Sequence, residues 1–249
     1  MNYDRIGAGY VEQRLADSRL AALIWDALAD AESIVNVGAG AGSYEPRDRP
    51  VVAVEPSIAM IRQRADSAAP VVRACAEALP FPDASFAAAM AVLTIHHWAD
   101  WRAGLRELVR VSRGRVVLFT WDPKSDSLWL SDYFPHLLAA DRQRFPSLSA
   151  LRELLGEIEV VPVRIPHDCT DGFMGAYWRR PSAYLDPAVR AAISSLATDA
   201  SAASLGRLAH DLAAGVWRRR YGSLLKQDDA DLGYRLVIAS RLPSGEPTR

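Results

Sequence analysis

The run Ile34-Val35-Asn36-Val37-Gly38-Ala39-Gly40-Ala41-Gly42 constrains this chain more than any other stretch. A short, mostly apolar segment ends abruptly in three glycines at alternate positions. The pattern reads as a buried strand running into a glycine turn, the usual opening of a nucleotide-type binding site. Glycine suits such a turn because it accepts positive φ, and because its missing Cβ lets backbone lie against a ligand. The spacing is G-x-G-x-G, so the dinucleotide fingerprint fails at its third glycine. The next strand, Val51–Val54, follows too soon for a crossover helix. Residues 43–50 between them hold two prolines and four charges and are expected as a loop. A phosphate would want a helix N-terminus there, so the turn suits a ligand held by close backbone approach.

The second strand ends in Glu55-Pro56. A carboxylate at that point is placed to accept both hydrogen bonds of a ribose diol. Ser57 reads as the N-cap of a helix over 58–65. Strands are expected over 71–74, 86–93 and 115–120, with a helix over 100–111 between the last two. The alternation implies a parallel sheet covered on both faces. Ahead of it, 11–30 has the periodicity of one helix. After Trp121 the pattern breaks and 122–147 reads as irregular. A helix over 148–156 and a strand over 158–165 follow. Residues 167–228 form a long insertion with helices near 187–197 and 205–221. Residues 232–240 form the last strand, and 243–249 read as a frayed tail. The organisation expected is a helical segment over 1–30, a core over 31–166 and 229–242, and an inserted lid over 167–228.

The chain has 249 residues, half of them hydrophobic, enough for one large α/β domain. With 29 basic and 30 acidic side chains it has no excess positive charge for a nucleic-acid backbone. Cys75 and Cys169 lack partners at metal-ligand spacing, and no ligand cluster suggests a metal. A cytoplasmic setting is expected, since the first residues lack a signal peptide's apolar region and no run is long enough to span a membrane.

The order of G-x-G-x-G, Glu55, Ala76-Glu77-Ala78-Leu79-Pro80-Phe81 and His96-His97-Trp98 resembles class I S-adenosylmethionine-dependent methyltransferases. Within them it is similar to the small-molecule type 11 branch that includes ubiquinone/menaquinone methyltransferases. The resemblance covers about residues 30–122. It implies a Rossmann-like seven-stranded sheet with an antiparallel last strand, S-adenosylmethionine as methyl donor, and a small-molecule acceptor for a monomer or homodimer. By position it implies that Gly38, Ala39 and Gly40 face the methionine and ribose, and that Glu55 holds the ribose. Pro56 and Met60 would lie near the adenine, Ala76 and Glu77 at its edge, and Ala91 and His97 at the methionine end. Tyr3, Tyr10 and Arg14 would fold over the cofactor, with Arg14 pairing its carboxylate. Two departures stand out. Asn36 occupies a position often acidic, and Cys75 one often held by Asp; Cys is a poor reader of an amino group.

Methyl transfer from a sulfonium is an in-line displacement, so alignment supplies much of the rate, and a base is needed only if the acceptor must lose a proton. The candidate bases are His96 and His167. The candidate substrate wall is Phe173, Met174, Tyr177, Trp178, Arg179, Arg180 and Tyr184, with Trp129, Tyr133 and Phe134 as a second wall. Each of these aromatics has an alternative reading as core. Two other functions compete: a non-catalytic domain that keeps the fold and binds cofactor, and a nicotinamide-dependent oxidoreductase.

Overall fold

In the computed structural model, which describes residues 10–126 and 129–240, the short apolar runs assemble into one seven-stranded sheet. Its strands are β1 (Ile34–Val37), β2 (Val51–Val54), β3 (Val71–Val72), β4 (Phe86–Val92), β5 (Ser112–Trp121), β6 (Ile158–Pro166) and β7 (Asp229–Ser240). They lie in the order β3-β2-β1-β4-β5-β7-β6, and β7 runs antiparallel to both of its neighbours. β1 is buried throughout and pairs in parallel with β2 and β4. It lacks polar alternation because both of its faces are covered. The strand order reverses between β1 and β4, and such a reversal leaves a crevice beyond the carboxyl ends of the strands.

Period-2 alternation divides β1 and β4 between two cores. Ile34, Ala88 and Met90 join Leu20, Ile24 and Leu28 on one face. Val35, Val37, Ala89 and Ala91 join Leu105, Leu108 and Val111 on the other.

The helix expected over 11–30 is two helices, α1 (Tyr10–Gln13) and α2 (Ser18–Leu28). Between them Arg14 makes an antiparallel bridge to Asp171, which takes the backbone out of the helical ladder. Tyr3, the Tyr10 side chain and the 243–249 tail lie outside the described residues. α3 (Ile58–Ile61) is capped by Ser57 as expected but stops four residues short of 65. Just beyond it the Arg64 side chain binds the Glu45 carboxylate at 2.8 Å and the Gly40 carbonyl at 3.2 Å. β3 covers only two of its four expected residues. α4 (Trp101–Val111) is capped by Asp100.

The stretch read as irregular contains α5 (Pro135–Arg144), which starts with proline in its first turn. Its apolar and polar residues do not segregate, so periodicity misses it. α6 (Leu148–Leu155) leads into β6. The insertion holds α7 (Pro187–Ala191), α8 (Ser194–Asp199), α9 (Ala202–Ala213) and α10 (Val216–Tyr221). Two longer helices were expected; the second breaks at Gly215, whose φ is 69. Trp178, Tyr184, Leu208 and Trp217 from this insertion share the core of Ile34 and Met90. Among the described residues no helix is long and apolar enough to cross a membrane.

Asp17 ties α2 to the insertion. Its carboxylate, 1% exposed, accepts from the N–H groups of Arg19 (3.0 Å) and Thr170 (3.2 Å) and from the Arg19 guanidinium (2.7 Å). Burial opposes its charge, but the Arg19 and Thr170 hydrogen bonds outweigh burial and hold the carboxyl at about 2. Asp17→Ala should therefore cost about 1–2 kcal/mol in urea unfolding at pH 7. Because the unfolded carboxyl titrates near 3.8, the wild-type advantage is complete above about pH 4 and shrinks as pH falls towards 2.

Candidate active site

A cleft of about 260 Å³ occupies the crevice beyond β1, β2 and β4. Its floor is the glycine turn. The N–H groups of Gly38 and Ala39 donate to the Val54 carbonyl at 2.8 and 3.0 Å, docking the turn on β2. Gly38 has φ 71, and a Cβ there would lie 2.1 Å from Thr94 Oγ1. Gly40 has φ 52, and a Cβ there would meet only the Met60 methyl, at 3.4 Å. One glycine is demanded by packing and the other leaves space at the cleft wall.

Glu55 is 6% exposed. One of its oxygens accepts from Gly40 N–H at 2.8 Å, the other from Ser57 N–H at 2.9 Å. The Glu55 side chain lines the cleft. Asn36, 1% exposed, donates its Nδ2 to Glu45 at 3.2 Å. Glu45 also accepts from Arg64 at 2.8 Å and Ala69 N–H at 3.0 Å. A carboxylate only accepts, so the Asn36 amide must turn its nitrogen to Glu45. Its Oδ1 is then buried without a partner. A stranded acceptor of this kind costs about 1–3 kcal/mol unless a donor reaches it.

Arg14 borders the cleft and binds Asp171 through Nε at 2.5 Å. Tyr44 donates to the other Asp171 oxygen at 2.8 Å. Tyr44 (φ 65) and Leu93 (φ 49) sit in the left-handed region that side chains usually avoid, and both line the cleft.

A second cavity of about 60 Å³ shares Arg14, Leu93 and His97 with the cleft. Its further walls are His96, Trp121, Leu138, Asp141, Phe145, Phe173, Met174, Ile193, Ser194, Ser195 and Tyr234. The His96 ring stacks on Phe145, with centroids 3.9 Å apart and planes at 16°. Burial, reinforced by the neighbouring His97, Arg14 and Arg144, keeps His96 neutral far below the usual histidine range. Burial, with Arg14 and Arg144, also holds His97 down at about 3. The Nδ1 atom of His96 is buried and lacks a partner.

Arg14, Asn36, Gly38, Ala39, Gly40, Glu55, Pro56, Met60, Cys75, Ala76, Glu77 and His97 all line the cleft. Ala91 does not, because alternation turns it to the opposite core while Val92 borders the cleft. His167 lines neither cavity; its Nδ1 lies 3.0 Å from the Asp228 carbonyl. Of the candidate substrate walls only Phe173 and Met174 reach the second cavity. Trp129 stacks edge-on against Tyr133 and Tyr184 and donates to the Trp178 carbonyl at 2.8 Å. Tyr133 donates to Asp211 at 3.0 Å. Phe134 is likewise in the core. Trp178 is fully buried and donates to the Ile165 carbonyl at 3.1 Å. Tyr177 packs on Tyr184 beneath the Arg180 guanidinium. Arg179 donates to the Gln227 carbonyl at 2.9 Å, and Arg180 to that of Cys169 at 2.7 Å. These side chains are the packing of the insertion. Sequence reasoning missed Tyr44, Glu45, Thr94, Trp121, Asp141, Phe145, Ser195 and Tyr234. Only Thr94, next to the His96-His97 motif, carried a positional signal.

The sheet order, the glycine turn and the carboxylate after β2 define a class I, Rossmann-like adenosyl-cofactor enzyme. The methyltransferase-domain family matches residues 35–120. A solved structure from Anabaena variabilis, described as a methyltransferase from an antibiotic biosynthesis pathway, is 35% identical. It superposes with a TM-score of 0.84 over 92% of this chain and 99% of that one. The chain therefore belongs to the S-adenosylmethionine-dependent methyltransferases, and S-adenosylmethionine is its methyl donor. This selects methyl transfer over the nicotinamide and non-catalytic readings. Two more distant structures share the fold. A methyltransferase from Thermotoga maritima is 17% identical, with a TM-score of 0.60 over 96% of this chain and 98% of that one. Geranyl diphosphate C-methyltransferase from Streptomyces coelicolor, solved with S-adenosylhomocysteine, is 17% identical, with a TM-score of 0.50 over 90% and 76%. No curated protein matches.

The cleft fits the cofactor: a stranded amide oxygen, a side-chain-free wall at Gly40 and an oriented carboxylate line one space. The two glycines should fail differently. Gly38→Ala should lower stability by about 1–3 kcal/mol through overlap with Thr94. Gly40→Ala, whose Cβ would meet only the Met60 methyl, bears only the cost of its positive φ, so it should lose less stability but bind S-adenosylhomocysteine more weakly. Urea melts and calorimetry on the same samples separate the two.

Proposed function

We propose that the protein methylates a small molecule held in the second cavity, at an oxygen, nitrogen or carbon that faces the cofactor cleft. The observation that carries this is the shared wall: Arg14, Leu93 and His97 border both spaces, so one ligand abuts the other. Bound S-adenosylmethionine supplies an electrophilic methyl group on its sulfonium sulfur. Glu55 accepts from the ribose hydroxyls. Asn36 Oδ1 accepts from the cofactor's ammonium, and Glu45, which accepts from Asn36 Nδ2, fixes the amide in the orientation that presents Oδ1 to the cleft. Arg14 faces the cofactor's carboxylate. Pro56 and Met60 pack on the adenine, and Cys75, Ala76 and Glu77 edge it. His97, held neutral, packs at the methionine end without repelling the sulfonium. His96 takes the acceptor's proton on Nδ1 where the chemistry releases one. Residues 10–30 cover the cofactor on the core formed by 31–166 and 229–240, and 167–228 close over the acceptor. Cys75 and Cys169 are unbridged thiols, which agrees with a cytoplasmic setting. We keep monomer or homodimer as the oligomeric reading.

Calorimetric titration with S-adenosylhomocysteine tests the binding half: saturable heat is expected, weakened on the order of tenfold or more by Glu55→Ala and less by Glu45→Gln. Titration without heat would refute it. For a proton-releasing acceptor the single-turnover rate should stay level as pH falls from 7 to 5.5, because His96 remains deprotonated. A drop centred near the ordinary histidine value of 6.5 would remove His96 from the role.

A further inference from the structure

We infer that Asn36 and Glu45 form an exchangeable amide–acid pair: Glu45 fixes which end of the Asn36 amide faces the cleft, and thereby whether the cleft favours a ligand with an amino group at its methionine end. The inference rests on the reading that places the cofactor's ammonium on Asn36 Oδ1. Asn36 lines the cleft, whereas Glu45 and Arg64 are not on its wall. They stand one step behind it, each side chain 5% exposed. Glu45 Oε1 accepts from Asn36 Nδ2 at 3.2 Å and from Arg64 Nη2 at 2.8 Å. Its Oε2 accepts from the same Nη2 at 2.8 Å and from the Ala69 N–H at 3.0 Å. Arg64 is held in turn by the carbonyls of Ala69, at 2.9 Å, and Gly40, at 3.2 Å.

Of the donors around this carboxylate, the Ala69 N–H belongs to the backbone and the guanidinium is clamped by two carbonyls. The Asn36 amide can turn about its last torsion. With an acid at 45 its nitrogen faces Glu45, and Oδ1 is left buried without a partner. An acid at 36 would set two carboxylates against each other in a buried space, where like charges repel strongly. The neutral side chain at 36 and the acid at 45 therefore account for each other. The negative charge stands behind the wall, and an oriented amide oxygen stands on it. Glu45→Gln reverses the amide. The oxygen of the new side chain stays where the fixed Ala69 N–H needs it, so its nitrogen faces Asn36. The Asn36 oxygen then turns to meet that nitrogen, and Nδ2 turns to the cleft, where it opposes an ammonium group. In Asn36→Asp/Glu45→Gln the acid and the amide have changed places, and an oxygen faces the cleft again.

S-adenosylhomocysteine and its deaminated analogue, in which hydrogen replaces the α-amino group, test this by calorimetric titration of the full chain. The wild type should prefer S-adenosylhomocysteine on the order of tenfold. Glu45→Gln should lose that preference while its affinity for the deaminated analogue stays close to the wild-type value, which shows that the variant is folded. Asn36→Asp/Glu45→Gln should regain the preference. A preference kept in Glu45→Gln, an equal loss for both ligands there, or no recovery in the double variant would overturn the inference. The pairing also has a readout without ligand. Asn36→Asp alone should lower the urea midpoint, and adding Glu45→Gln should raise it again; a double variant no more stable than Asn36→Asp would overturn the pairing. If S-adenosylhomocysteine does not bind the wild type, the cofactor reading falls, and the urea midpoints still decide the pairing.

Discussion

The carboxylate of Glu55 joins two pieces of chain at the mouth of the cofactor cleft. One oxygen takes the N–H of Gly40 from the turn after β1, the other the N–H of Ser57 at the start of α3. Charge-assisted bonds of this kind are stronger than neutral ones. They place a buried anion where the sheet order reverses, and the same anion lines the cleft. The parallel β1 and β2 set the distance, the short loop between them leaves the turn uncovered, and the glycines let its backbone form the wall. On the proposed reading the cofactor's sugar meets groups already oriented for it, so little ordering remains to be done on binding.

The acceptor side depends on a second junction. Asp171, in the insertion, collects Arg14 from the N-terminal segment and Tyr44 from the loop after the glycines. Three separated parts of the chain are thereby drawn over the same opening. Tyr44 and Leu93 hold backbone conformations that cost energy for residues with side chains. Both stand at the cleft, where the surrounding contacts keep them in place.

Much of the cofactor side was legible because it is local. Gly38, Gly40 and Glu55 lie at strand ends, and strand ends are what apolar runs and glycine punctuation reveal. Asn36 was visible as a departure, but its partner Glu45 was not, since a loop has no period to show which side chain turns inward. Ala91 was assigned to the cleft and faces the opposite core. The all-apolar stretch of β4 offers no polar alternation to tell its two faces apart. The aromatics beyond β5 were harder still. Trp129, Tyr177 and Trp178 have the composition of a ligand wall and instead form packing, because burial of a ring looks the same in sequence whichever partner supplies it. Asp141 and Ser195 are 54 residues apart and meet only through tertiary structure. No spacing rule could have joined them.

The most direct measurement is a crystal structure of the protein soaked with S-adenosylhomocysteine. The account predicts the ribose hydroxyls within hydrogen-bonding distance of Glu55, the ammonium on Asn36 Oδ1, and the sulfur directed at the opening beside Leu93 and His97. A ligand bound elsewhere, or one whose sugar leaves Glu55 to the backbone alone, would contradict it.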